Sequence, residues 1–142
     1  MATLLLDANI LVHYVRRDAV WTRIRSRYRP LMASPTPLIS VVTTGELRSL
    51  AYQWNWSAAK RSQMEFILGY FKVVTIHDAA VVEAYSIIDS YFQVQGQVLG
   101  KNDLWIAATA QATGARLVTT DRDFDRMDPL FLARDWIDPG MP

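Results

Sequence analysis

The sequence predicts an α/β fold: a three-layer α/β/α sandwich around a central, mostly parallel sheet. Helix-period and strand-period segments alternate along the chain. The strand segments are continuous apolar runs, as in strands covered on both faces, rather than polar-apolar alternations. The length of 142 residues, 51% hydrophobic and 20% charged, suits one core, so residues 1–142 read as a single domain.

Residues 3–6 read as a short buried strand. Helical patterns follow around 9–15 and 20–28. In the second, Trp21, Ile24 and Tyr28 make an i, i+3, i+7 stripe facing the core. "RPLMASPTP" is punctuated by three prolines and is a connection. "LISVV", 38–42, is apolar and β-branched and reads as the second buried strand. A helix runs from near Thr44 to about Gln53. "WNW", 54–56, breaks it, and Ser57 caps a helix over 58–70. "KVVTI", 72–76, is the third strand, and Asp78 caps a long helix reaching the mid-90s. "GQVLG", 96–100, is a glycine-bounded loop. The alanine-rich stretch 102–113 is a helix stopped at Gly114. "ARLVTT", 115–120, is the fourth strand. A helical turn is expected over 123–127 and an edge strand at "LFL", 130–132.

The chain has no cysteine, which excludes disulfides and thiolate metal sites. The N-terminus lacks a basic region and Asp7 interrupts its apolar run, which argues against a signal peptide. No apolar stretch reaches transmembrane length. A soluble, cytoplasmic protein with no membrane partner is expected. There is no P-loop, no dinucleotide-binding glycine fingerprint and no serine in a nucleophile elbow. "DRDFDRMD" is not a calcium loop, because counting from Asp121 puts Arg126 and Leu132 where an EF-hand needs glycine and glutamate. His13 and His77 lack metal-ligand spacing.

In parallel α/β sheets, ligands bind beyond the carboxyl ends of the strands. Asp7 follows the first strand, Glu46 lies in the first helical turn after the second, Asp103 starts the alanine-rich helix and Asp121 follows the fourth strand. Each has a structural explanation on its own. Helix N-termini attract negative charge, Thr43-Thr44-Gly45-Glu46 reads as a capping box, and Asp121 suits a turn. Together these explanations weaken, because clustered carboxylates repel and raise one another's pKa. A divalent cation removes the conflict. Oxygen ligands without His or Cys point to Mg²⁺ or Mn²⁺, which can polarise a phosphoryl oxygen and activate water for phosphodiester hydrolysis. Asn9, Thr119 and Thr120 are placed to orient carboxylates or waters around the ion.

Four segments resemble a PIN domain. "LLDANILV" is similar to its opening, with an aspartate after strand one followed by x-Asn. "SVVTTGEL", 40–47, resembles the segment carrying a glutamate. "GQVLGKNDLWIAATA", 96–110, resembles the segment presenting the third acid. "LVTTDRDF", 117–124, resembles the closing T-x-D segment followed by phenylalanine. Order and spacing match over nearly the whole chain, most like toxin ribonucleases of the VapC type. The resemblance implies an Mg²⁺-dependent endoribonuclease with Asp7, Glu46, Asp103 and Asp121 as its acidic site. Asp7 and Asp103 would be the strongest ligands; Glu46 and Asp121 would bind directly or through water. It further implies attack by activated water leaving a 5′-phosphate, a cognate antitoxin and a homodimer. Asp121 fits the T-x-D register from Thr119, with Asp123 in reserve.

Other features keep two readings. Between Arg16 and Arg29 lie six arginines and one acid. Arg23, Arg25, Arg27 and Arg29 are either a solvated helix face or an RNA-contacting one; in the second case Arg-to-Ala changes there weaken RNA binding and flatten its salt dependence. Lys101 either touches a scissile phosphate or is an ordinary exposed lysine. Tyr52, Trp54, Trp56, Tyr70 and Phe71 crowd one helix hairpin, as core residues or as a patch for an antitoxin or second subunit. Two other functions compete: a catalytically silent PIN-like module binding RNA or protein, and a phosphotransfer protein. The first has no need of clustered charge. The second would want a lysine after a later strand, which is absent.

Overall fold

The computed structural model describes residues 2–141. Five strands, β1 (Leu4–Leu6), β2 (Leu38–Ser40), β3 (Lys72–Val74), β4 (Arg116–Thr119) and β5 (Arg134–Trp136), form one sheet in the order β3-β2-β1-β4-β5. Every pairing is parallel. The helices are α1 (Ala8–Arg16), α2 (Ala19–Tyr28), α3 (Val41–Gln53), α4 (Ala58–Tyr70), α5 (Ala79–Val94) and α6 (Lys101–Thr113), with a 3₁₀ segment at Arg122–Met127. Successive strand residues point to opposite faces. Leu4 and Leu6 therefore join Ile39, Val118 and the residues of α1–α4 in one core. Leu5 joins Leu38, Leu117 and the residues of α5 and α6 in the other. The continuous apolar runs are the signature of these two cores, and the predicted three-layer sandwich is what forms. Among the described residues, no helix is long and apolar enough to cross a membrane.

Most boundaries lie within two residues of the pattern, because the caps were legible. Ser57 and Asp78 accept from the first turns of their helices as expected, and Gly114 ends α6 with φ 69°; Asp18, not expected as a cap, accepts from the Trp21 N–H and starts α2. Two readings change. "LISVV" is strand only to Ser40, whose Oγ accepts from the Val42 N–H at 3.1 Å and starts α3 at Val41. The capping box at Thr43–Glu46 is therefore absent, and Glu46 sits in the second helical turn. A β-branched run favours strand, but a serine cap at the sheet edge overrides it. "LFL" is not the edge strand either. Phe131 and Leu132 turn back through N–H bonds to the Met127 carbonyl, and Leu132 is buried in the core. Pairing resumes at Arg134–Trp136, where Asp135 takes Arg116 at 2.9 Å.

Phe124 anchors the 3₁₀ segment, fully buried between the exposed Asp123 and half-buried Asp125. Phe124→Ala is expected to cost about 3–5 kcal/mol through lost burial and a residual cavity. Urea denaturation measures it, and a loss below about 1 kcal/mol would show that the segment is not held by this ring.

Candidate active site

All strands run the same way, so their C-terminal ends share one edge, and the acids gather there. Asp7 ends β1 and caps α1. Its Oδ1 accepts from the Ala8 N–H at 2.8 Å, and its Oδ2 accepts from the Thr119 hydroxyl at 2.8 Å and from the Asn9 amide at 3.4 Å. Thr119 Oγ1 in turn accepts from the Asp121 N–H at 3.0 Å, and Asn9 Oδ1 accepts from the Thr120 N–H at 3.2 Å. The ends of β1 and β4 are thus stitched together through Asn9, Thr119 and Thr120. Asp7 is both the helix cap that local chemistry suggests and a member of the cluster.

The most compact group is Asp103, Asp121 and Asp123, each offering a carboxylate oxygen within 4.8 Å of the others. Asp121 Oδ1 accepts from the Asp123 N–H at 2.8 Å, fixing the turn. Asp7 and Glu46 lie alongside, on the wall of the same cavity of about 730 Å³ that Asp103 and Asp121 line. None of these five acids is ion-paired among the described residues. Burial, then the charges of Asp121, Asp7 and Asp123, push the Asp103 carboxyl up to about 7. Burial and the neighbouring Asp7 charge raise Glu46, and burial above all raises Asp7. Protons are held here because burial, and then mutual repulsion, disfavours the charged carboxylates. Three carboxylates converging with oxygen donors alone fit a hard divalent cation such as Mg²⁺ or Mn²⁺.

The family model described as PIN domain matches residues 4–130, which contain all of these acids. The chain belongs to the PIN domain family. Ribonuclease VapC4 from Mycobacterium tuberculosis is 37% identical over 91 residues, spanning 63% of this chain and 69% of that protein. The structure of VapBC2 from Rickettsia felis bound to a promoter DNA fragment has the same fold, with TM-score 0.78 and 22% identity over 96% of this chain and 99% of that one. A toxin–antitoxin complex from Klebsiella pneumoniae aligns with TM-score 0.68 and 20% identity over 89% of this chain and 93% of that one.

In this PIN domain the sheet edge brings together Asp7, Glu46, Asp103 and Asp121, and adds Asp123. Asn102, which the sequence offers only as part of a helix start with Asp103, lines the cavity with Glu46 and partly offsets the rise in its proton affinity. The arginines of α2 do not reach this cavity. Arg23 donates to the Asp138 and Met141 carbonyls, tying down the C-terminal segment, and Arg27 pairs with Asp135 at 3.6 Å. Arg25 and Arg29 line a separate pocket with Leu31 and Met32. Lys101 is exposed at the start of α6, outside the cavity lining. Of the hairpin aromatics, Trp56 and Phe71 are buried, while Tyr52, Trp54 and Tyr70 are exposed. Arg23→Ala is expected to lower stability by about 1–2 kcal/mol, because two charge-assisted bonds are lost. Urea denaturation measures the change, and unchanged stability would show that Arg23 does not hold the C-terminal segment.

Proposed function

We propose that this chain is a divalent-cation-dependent endoribonuclease, the toxin of a type II toxin–antitoxin pair, acting in the cytoplasm. The observation that carries the reading is the convergence of Asp103, Asp121 and Asp123 within 4.8 Å at an open cavity flanked by Asp7 and Glu46. Those residues would hold Mg²⁺ or Mn²⁺, which when bound polarises a phosphoryl oxygen and lowers the pKa of water. Asp7, pinned by Ala8, Asn9 and Thr119, keeps the position of its carboxylate fixed. Glu46, with its raised proton affinity, suits the acceptance of a proton from the attacking water. The reaction consumes one water, breaks the P–O3′ bond and leaves a 5′-phosphate and a 3′-hydroxyl.

The name Ribonuclease VapC4 and the toxin–antitoxin complex from Klebsiella pneumoniae support the RNA substrate and the antitoxin partner. Exposed Tyr52, Phe66 and Tyr70 on the α3–α4 hairpin, and Ile87, Tyr91 and Val94 on α5, offer apolar surface for an antitoxin and a second subunit. The test is cleavage of end-labelled RNA by the purified chain, with and without Mg²⁺. Metal-dependent products carrying 5′-phosphates are expected. No cleavage with any divalent ion would leave a silent binding module.

A further inference from the structure

The cavity does not end at the acids. Helices α1 and α3 both start at the acid edge and run away from it side by side, and one face of each lines the same groove. Arg16 lies nine residues beyond Asp7 on α1, about 13 Å along the axis at 1.5 Å per residue. Trp54 lies eight residues beyond Glu46 at the end of α3, about 12 Å by the same rise. At this far end the Arg16 guanidinium carbon sits 5.1 Å from the centre of the Trp54 ring. The indole is 46% exposed, whereas the other four tryptophans are buried or half-buried. Beside it lies the exposed Gln53, whose amide donates to Ser49 Oγ at 2.9 Å and keeps an oxygen that can accept.

We propose that Trp54, Arg16 and Gln53 form a nucleotide subsite, in which an unpaired RNA base stacks on the indole while the strand continues along the groove to the acids. This rests on the nuclease reading of the acid edge. An aromatic face takes any base without reading sequence, and a neighbouring guanidinium meets the adjacent phosphate. Arg16 supplies positive charge at the far end of a groove whose other end is strongly negative, so a strand entering from this side meets a cation first. A duplex keeps its base faces covered, so the subsite selects single-stranded RNA. Gln53 adds an acceptor for a base edge. The mixed lining of arginine, glutamine, serine and indole suits a nucleotide better than an apolar peptide side chain.

The test is fluorescence anisotropy of a labelled single-stranded RNA oligonucleotide on the full chain at low salt, with chelator present so that the probe survives. Trp54→Ala is expected to weaken binding about tenfold, and Trp54→Phe to keep most of the affinity. Arg16→Gln is expected to flatten the log–log salt slope by about 0.7. Circular dichroism of each variant should match the parent, since both side chains are exposed. Equal affinities for Trp54→Ala and the parent overturn the subsite, including where that variant loses binding to a protein partner, which would give the groove to a peptide. Trp54-dependent binding without metal-dependent cleavage by the parent would sink the nuclease reading and leave the subsite standing.

Discussion

Asp103→Asn is expected to reduce RNA cleavage on the order of 100- to 1000-fold, the range seen when one group stabilising transition-state charge is removed. Asp103 is the member of the compact trio whose carboxyl is pushed up to about 7, by burial first and then by the charges of Asp121, Asp7 and Asp123. Asparagine keeps the shape and removes the charge. The same change should stabilise the metal-free protein above pH 7 by about 1–2 kcal/mol, after discounting for partial exposure to solvent. Loss of activity with gain of stability separates a functional acid from a structural one. Asp7→Asn should lose activity likewise, and its amide oxygen can still accept from the Ala8 N–H and cap α1. Cleavage assays paired with urea denaturation measure both quantities. Undiminished cleavage by either purified variant would refute the assignment.

Divalent metal should matter as much as any side chain, and pH should show how. In the fold, Asp103 keeps its proton up to about 7, against an ordinary value of 3.8. Between those values the native state binds more protons than the unfolded chain. Stability of the metal-free protein therefore falls as pH rises from about 4 to about 7, and levels off above. Asp7 and Glu46, also raised, act in the same direction. A cation bound at the trio favours the ionised carboxylates and should remove this decline. At one hundred times its dissociation constant it adds about 2.7 kcal/mol. Melting temperature against pH, with Mg²⁺ and with chelator, checks both the slope and its removal. Chelation should also abolish cleavage. Superimposable melting curves with and without ion across this range would mean that the acids hold no cation.

Much of the candidate site lay open in the linear sequence because its members occupy positions with local signatures. Asp7 and Asp121 each follow an apolar strand, and Asp103 opens an alanine-rich helix. Strand direction then sends them to one edge, since parallel strands end on the same side. Asp123 carries no such signature of its own. In sequence it is one of three nearby acids, and only the turn made by the Asp121 side chain puts its carboxylate against Asp103. The arginines of α2 look alike as a charge run, yet Arg23 is occupied by the C-terminal segment more than a hundred residues away.

The sequence alone determined the alternation of strands and helices, the two-sided burial of the sheet and the caps at Ser57, Asp78 and Gly114, since each depends on contacts within one or two turns or on the period of apolar residues. Tertiary structure decided which faces stayed open and which distant groups met. Trp54 and Trp56 sit two residues apart in one motif, yet one lines a groove and the other is buried. Thr119 reaches Asp7 across 112 residues of chain. Neither outcome is written in local pattern, because both follow from how helices pack on the sheet and from β4 pairing beside β1.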